Sequence, residues 1–154
     1  MAQCSRESAF AALFALLQTS VPPINNGKWV ASGRKLLDWS KVPAANQPCF
    51  FLDQGHQETK EETYQLPQWL WMGYMWIYFR LDGSDTQSTP SDTVFNGFLD
   101  AVDNVIYPLP KGTRNTLGGL VTQCHIIGTT HLGLSEQNGG QGIIVIPLEI
   151  IVGV

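Results

Sequence analysis

Gln68-Trp69-Leu70-Trp71-Met72-Gly73-Tyr74-Met75-Trp76-Ile77-Tyr78-Phe79-Arg80-Leu81 is the stretch whose reading decides the fold. It is rich in aromatic and aliphatic side chains that suit a pleated surface, and it predicts one long strand. Successive side chains of a strand point to opposite faces. Trp69, Trp71, Gly73, Met75, Ile77, Phe79 and Leu81 therefore share one face, and Leu70, Met72, Tyr74, Trp76, Tyr78 and Arg80 the other. Both faces are apolar, so both need a cover.

Working outward, the chain offers two good helices to supply it. Ser5 can cap the first, and Glu7 lies in its first turn, where a negative charge favours the dipole. Phe10, Leu13, Phe14 and Leu17 follow helical spacing, and Pro22-Pro23 ends the run. The second helix is announced by Thr89-Pro90-Ser91-Asp92 and carries Val94, Phe95, Phe98, Val102 and Val105 or Ile106 on one stripe. Trp29–Asp38 reads as a strand, and Cys49–Leu52 as a short apolar one between Pro48 and a polar loop, Asp53–Gln65. A second polar loop spans Asp82–Ser88. Pro108 and Pro110 precede a basic loop at Lys111–Asn115, and Leu117–Thr130 holds a further strand. Asn138-Gly139-Gly140-Gln141-Gly142 is a turn before a last aliphatic strand, Ile143–Val152.

The expected order is α-β-β-β-α-β-β. That is a single α+β domain over residues 1–154, with two helices on one face of a mixed, largely antiparallel sheet of about five strands. Two readings of the second sheet face follow: a central strand within a two-layered core of the chain itself, or a face left bare in a monomer and covered by a neighbouring copy. Composition agrees. The 154 residues are 44% hydrophobic but only 14% charged, which excludes disorder and suggests that much surface does not face water. A net charge of −4 excludes a general polyanion binder.

Chemistry is sparse. Cys4, Cys49 and Cys124 are odd in number and widely spaced, against both a disulfide framework and a zinc knuckle, and they read as reduced thiols. Ala9–Leu17 lacks the positive leader and cleavage site of a secretion signal, and no apolar run spans a bilayer. The expectation is a protein made in cytoplasm, with no membrane partner. Gly133-Leu134-Ser135-Glu136-Gln137 lacks the last glycine of a nucleophile elbow, and Gly27-Lys28 has no phosphate-loop spacing. Cys124 and His125 are adjacent on a strand and point apart; His56 and His131 show no metal-site spacing. Glu58, Glu61 and Glu62 form a charge run typical of a solvated loop. No catalytic, cofactor or metal residues are assigned, and no enzyme is expected.

Three stretches resemble a known family. Ser5–Leu17, then Arg34–Pro48 with its Pro-Ala-Ala-Asn-Gln-Pro turn, and Asn115-Thr116-Leu117-Gly118-Gly119-Leu120-Val121 are similar to segments of tail terminators, the small tail-completion proteins of long-tailed bacteriophages. The closing aliphatic strand extends the likeness over nearly the whole chain, with a departure at Asn25–Trp29. The resemblance implies a structural protein of the virion tail and neck. Its copies would form a hexameric ring on the tail-tube protein, stop tube growth and offer a surface to the head-tail connector, while DNA passes the lumen without tight binding. Expected interface residues are Glu58, Glu61, Glu62, Trp69, Trp71, Tyr74, Trp76, Tyr78, Asp82, Asp85, Lys111 and Arg114. The alternatives are another neck component, a head-closure or connector subunit, or a small enzyme or ligand-binding module with a pocket of Trp69, Trp71 and Trp76.

Overall fold

The computed structural model of the chain describes residues 4–61, 66–81, 91–107, 110, 112–135 and 140–153. The elements run α1 (Arg6–Gln18), β1 (Ala31–Gly33), β2 (Cys49–Lys60), β3 (Gln68–Arg80), α2 (Ser91–Ile106), β4 (Gln123–Ile126), β5 (His131–Ser135) and β6 (Gln141–Gly153). The described strands form one mixed sheet in the order β1-β2-β3-β6-β4, with β5 also on β6. Only β1–β2 is parallel. The architecture is the expected α+β one. The centre is β3 against β6, paired from Gln68↔Gly153 to Arg80↔Gln141 without a break.

Alternation builds the main core. Trp71, Met75, Ile77 and Phe79 of β3 and Ile144, Ile146, Leu148, Ile150 and Val152 of β6 point toward the helices and are buried. Ala9, Phe10, Leu13 and Leu17 of α1 and Val94, Phe95, Phe98, Val102 and Ile106 of α2 close on them. Gly73 lets α1 approach: a Cβ there would stand 3.0 Å from the Phe10 ring. The Ser5 hydroxyl accepts from the Ser8 N–H at 3.0 Å, capping α1. Glu7 takes the Arg34 guanidinium on both carboxylate oxygens, which holds its pKa below the usual value. No described helix is long and apolar enough to cross a membrane.

The structure departs from the sequence reading in four places. Trp29–Asp38 is not one strand; only Ala31–Gly33 pairs. Trp29 instead turns inward, its indole N–H donating to the Ser20 carbonyl at 2.9 Å and its ring packing on Phe50 and Phe98. Asp38 then caps a 3-10 turn at Trp39–Lys41. Second, the polar run after Leu52 is not a loop as far as Lys60, because backbone pairing with β3 extends β2 through it after a bulge between Gln54 and Gln57. Third, the strand expected within Leu117–Thr130 is β4, but a further strand, β5, follows it outside that range along the same side of β6. The described residues thus form six strands, against about five expected. The turn Ile127–Thr130 between them carried no apolar alternation to betray it.

Fourth, the second sheet face is not bare. Val42 and Leu36 cover one end, packing with Cys49, Phe51 and Tyr78, and the Tyr78 hydroxyl donates to the Leu37 carbonyl at 2.9 Å. Near the other end Ile127, Gly128 and Thr129 stand over Met72, Tyr74, Val145 and Pro147, leaving a groove of about 340 Å³. On this face Tyr74, Trp76, Ile143, Val145 and Ile151 remain half-buried. Thr89, Pro90 and the loop Asp82–Ser88 lie outside the described residues.

Candidate assembly surface

The expected interface residues fall into separate groups. Trp69 and Trp71 face the helices, with ring centroids 6.3 Å apart. Trp71 is buried and Trp69 half-buried. The Arg6 guanidinium lies 5.5 Å from the centre of the Trp71 ring and 6.0 Å from that of Trp69, and it donates to the Gln57 side chain. This cluster ties α1 to the polar half of β2. Trp76 is on the opposite face of the sheet, so the pocket imagined from Trp69, Trp71 and Trp76 does not exist. Tyr78 is buried under the 36–42 segment and offers little surface. Tyr74 and Trp76 are half-buried and keep some accessible apolar area, continuous with Ile143 and Val145 across the β3–β6 pairing.

The acidic residues belong to an edge. Beyond Phe51, β2 has β3 on one side and no described strand on the other. After half-buried Asp53 its outer half is exposed and carries His56, Glu58 and Lys60, a charged edge of the kind that resists unwanted strand addition. Glu58 lies within this strand, its carboxylate 3.5 Å from His56 Nε2, and Glu61 is exposed just past its end. Glu62, Asp82, Asp85 and Lys111 lie outside the described residues.

Arg114 stands at the other edge. It is exposed, in the segment between α2 and β4, beside a cleft of about 600 Å³ shared with Tyr107, Thr113, Asn115 and Gln123. Asn115 fixes this segment. Its amide donates to the Ile106 carbonyl at the end of α2 (3.1 Å), its side-chain oxygen accepts from Leu117 N–H (3.0 Å), and its backbone bridges to Cys124. The bridge blocks the outer edge of β4 at that point.

A pair that sequence reasoning missed lies between the two edges. His125 Nε2 is 3.3 Å from a Glu149 carboxylate oxygen, both side chains largely covered, on neighbouring strands. Two polar residues at facing register within apolar strands were the available signal. Nucleophilic chemistry finds little support: burial pushes the Cys49 and Cys124 thiols up to about 12, far from the thiolate form. Among the described residues, no three metal-ligating side chains converge. No family model and no curated protein matches the chain.

Proposed function

We propose that the protein is a tail terminator: a structural subunit that closes into a ring, of six copies on the family likeness, on the last ring of a phage tail tube. There it ends tube growth and presents the surface to which the head-tail connector joins. The strip Tyr74, Trp76, Ile143 and Val145, only partly covered in the single chain, is the observation that carries self-association, because apolar area left accessible is stabilised when a neighbour covers it. The low charge content and the likeness of Ser5–Leu17, Arg34–Pro48 and Asn115–Val121 to the tail terminators support the same reading. A cap must close on itself, since contacts that fail to close give filaments.

Two measurements test this. Mass photometry of the chain, alone and with tail-tube protein, should show a closed oligomer in at least one condition. Deleting the gene from its phage should give tails of uncontrolled length. A strict monomer in both conditions together with tails of normal length would refute the proposal.

A further inference from the structure

The two charged edges are level with each other. Glu58 of β2 pairs with Leu70 of β3, Leu70 with Ile151 of β6, and Ile151 with Gln123 of β4. Gln123 lines the Arg114 cleft. One row of residues, crossing four strands and roughly 14 Å at ordinary strand spacing, thus runs from the acidic end of β2 to the mouth of the basic cleft. Among the described residues Arg114, Lys60 and Glu61 have no ion-pair partner, and Glu58 has only His56; the end of β2 thus carries two carboxylates with one ammonium between them.

We propose that the Arg114 cleft receives the acidic end of β2, Glu58 and Glu61, from a second copy of this chain. This rests on the ring reading and names the contact that would build it. A second copy is favoured as occupant because the chain itself carries the complementary charge, at the same height, on the opposite edge. The contact is heterologous: each copy offers one acidic edge and one cleft, so association runs head to tail, as a ring requires. Side chains make the joint, because the Asn115–Cys124 bridge obstructs strand addition at the β4 edge. A guanidinium meeting carboxylates supplies directional, charge-assisted hydrogen bonds, and the joint weakens as salt rises.

Complementary charge reversal tests it on the full chain. E58K/E61K carries a basic end with a basic cleft, and R114E an acidic end with an acidic cleft. Each alone should self-associate about tenfold or more weakly than wild type by sedimentation velocity, with an unchanged circular dichroism spectrum. Mixed in equal amounts they should recover association, since both kinds of junction between unlike copies are again complementary. If each variant alone associates as wild type does, the joint lies elsewhere; this inference is overturned and the ring reading stands. If the variants fail alone and the mixture does not recover, the cleft serves a different acidic partner and the inference is likewise overturned. If neither wild type nor mixture associates, even on tail tubes, both the inference and the ring reading fall.

Discussion

Gly142 lies on β6 directly opposite Phe79 of β3, and the Phe79 ring covers the space where a side chain would be. A methyl group at 142 would overlap that ring. The ring cannot move aside easily: it is fully buried, with the Phe95 ring 5.2 Å and the Phe98 ring 4.7 Å from it, centre to centre. Overpacking of a tight core costs typically 1–3 kcal/mol, and a site enclosed by two helix-borne rings belongs near the top of that range, at about 3 kcal/mol. With a urea dependence of about 2 kcal/mol per molar, Gly142→Ala should lower the unfolding midpoint by about 1.5 M. Combining it with Phe79→Leu should give less destabilisation than the sum of the two single changes, because the smaller side chain frees the space. A loss below about 0.5 kcal/mol for Gly142→Ala, the size of an ordinary surface change, would falsify the packing argument, as would strict additivity of the pair.

Three further outcomes are expected. Cys49 and Cys124 are buried and Cys4 only partly so; Ellman's reagent should therefore label one thiol quickly in the native chain and all three in denaturant. Burial also raises Cys49 and Cys124 from 9.0 to about 12 and, with the nearby Asp38 and Cys49 charges, Tyr78 from 10.0 to about 12. The unfolded chain releases these protons first, so their contribution to stability is fully present below about pH 9 and is lost as pH rises toward 12. Urea midpoints taken at about pH 8 and about pH 10.5 should fall accordingly, and a midpoint that rises would contradict the burial described. Finally, if the proposed tail role holds, a chain of net charge −4 should not retain DNA. Fluorescence anisotropy with a short duplex should show no binding at physiological salt, where nonspecific binders have dissociation constants of about 10⁻⁴–10⁻⁶ M; salt-dependent binding would revive a nucleic-acid role.

Where side-chain pattern and backbone pairing coincide, the sequence was readable. The α1 stripe with its Ser5 cap carries a helical period, while the β3 stretch and the β6 run Ile143–Val152 are legible from their aromatic and β-branched composition. Glu58 was placed in a loop because polar residues on both faces of β2 hide the strand, which exists through its ladder to β3 rather than through its own composition. Trp29 misled for the opposite reason. Its β-forming character suggested a strand, whereas a long-range contact with Phe50 and Phe98 decides its position. For the assembly surface, residue type was informative and neighbourhood was not. Trp71 and Trp76 look alike in the sequence, yet one is sealed beneath α1 and the other half-buried on the far face. The level alignment of Glu58 with Gln123 depends on three registers in succession, which no local pattern encodes.

The unequal support along β2 has a consequence for hydrogen exchange. Amides of β3 between Trp69 and Tyr78 are flanked by β2 and β6 and should exchange slowest, on opening of the whole sheet. Beyond Phe51, β2 has a strand on one side only, so every second amide there points outward and should exchange fast. Peeling back Gln57–Lys60 uncovers no fully buried β2 side chain, because that end is exposed. Beyond Gln57, which Arg6 holds to α1, the end of β2 should therefore be the first part of the sheet to open, while the thirteen-residue β3 behind it keeps its hydrogen bonds to β6.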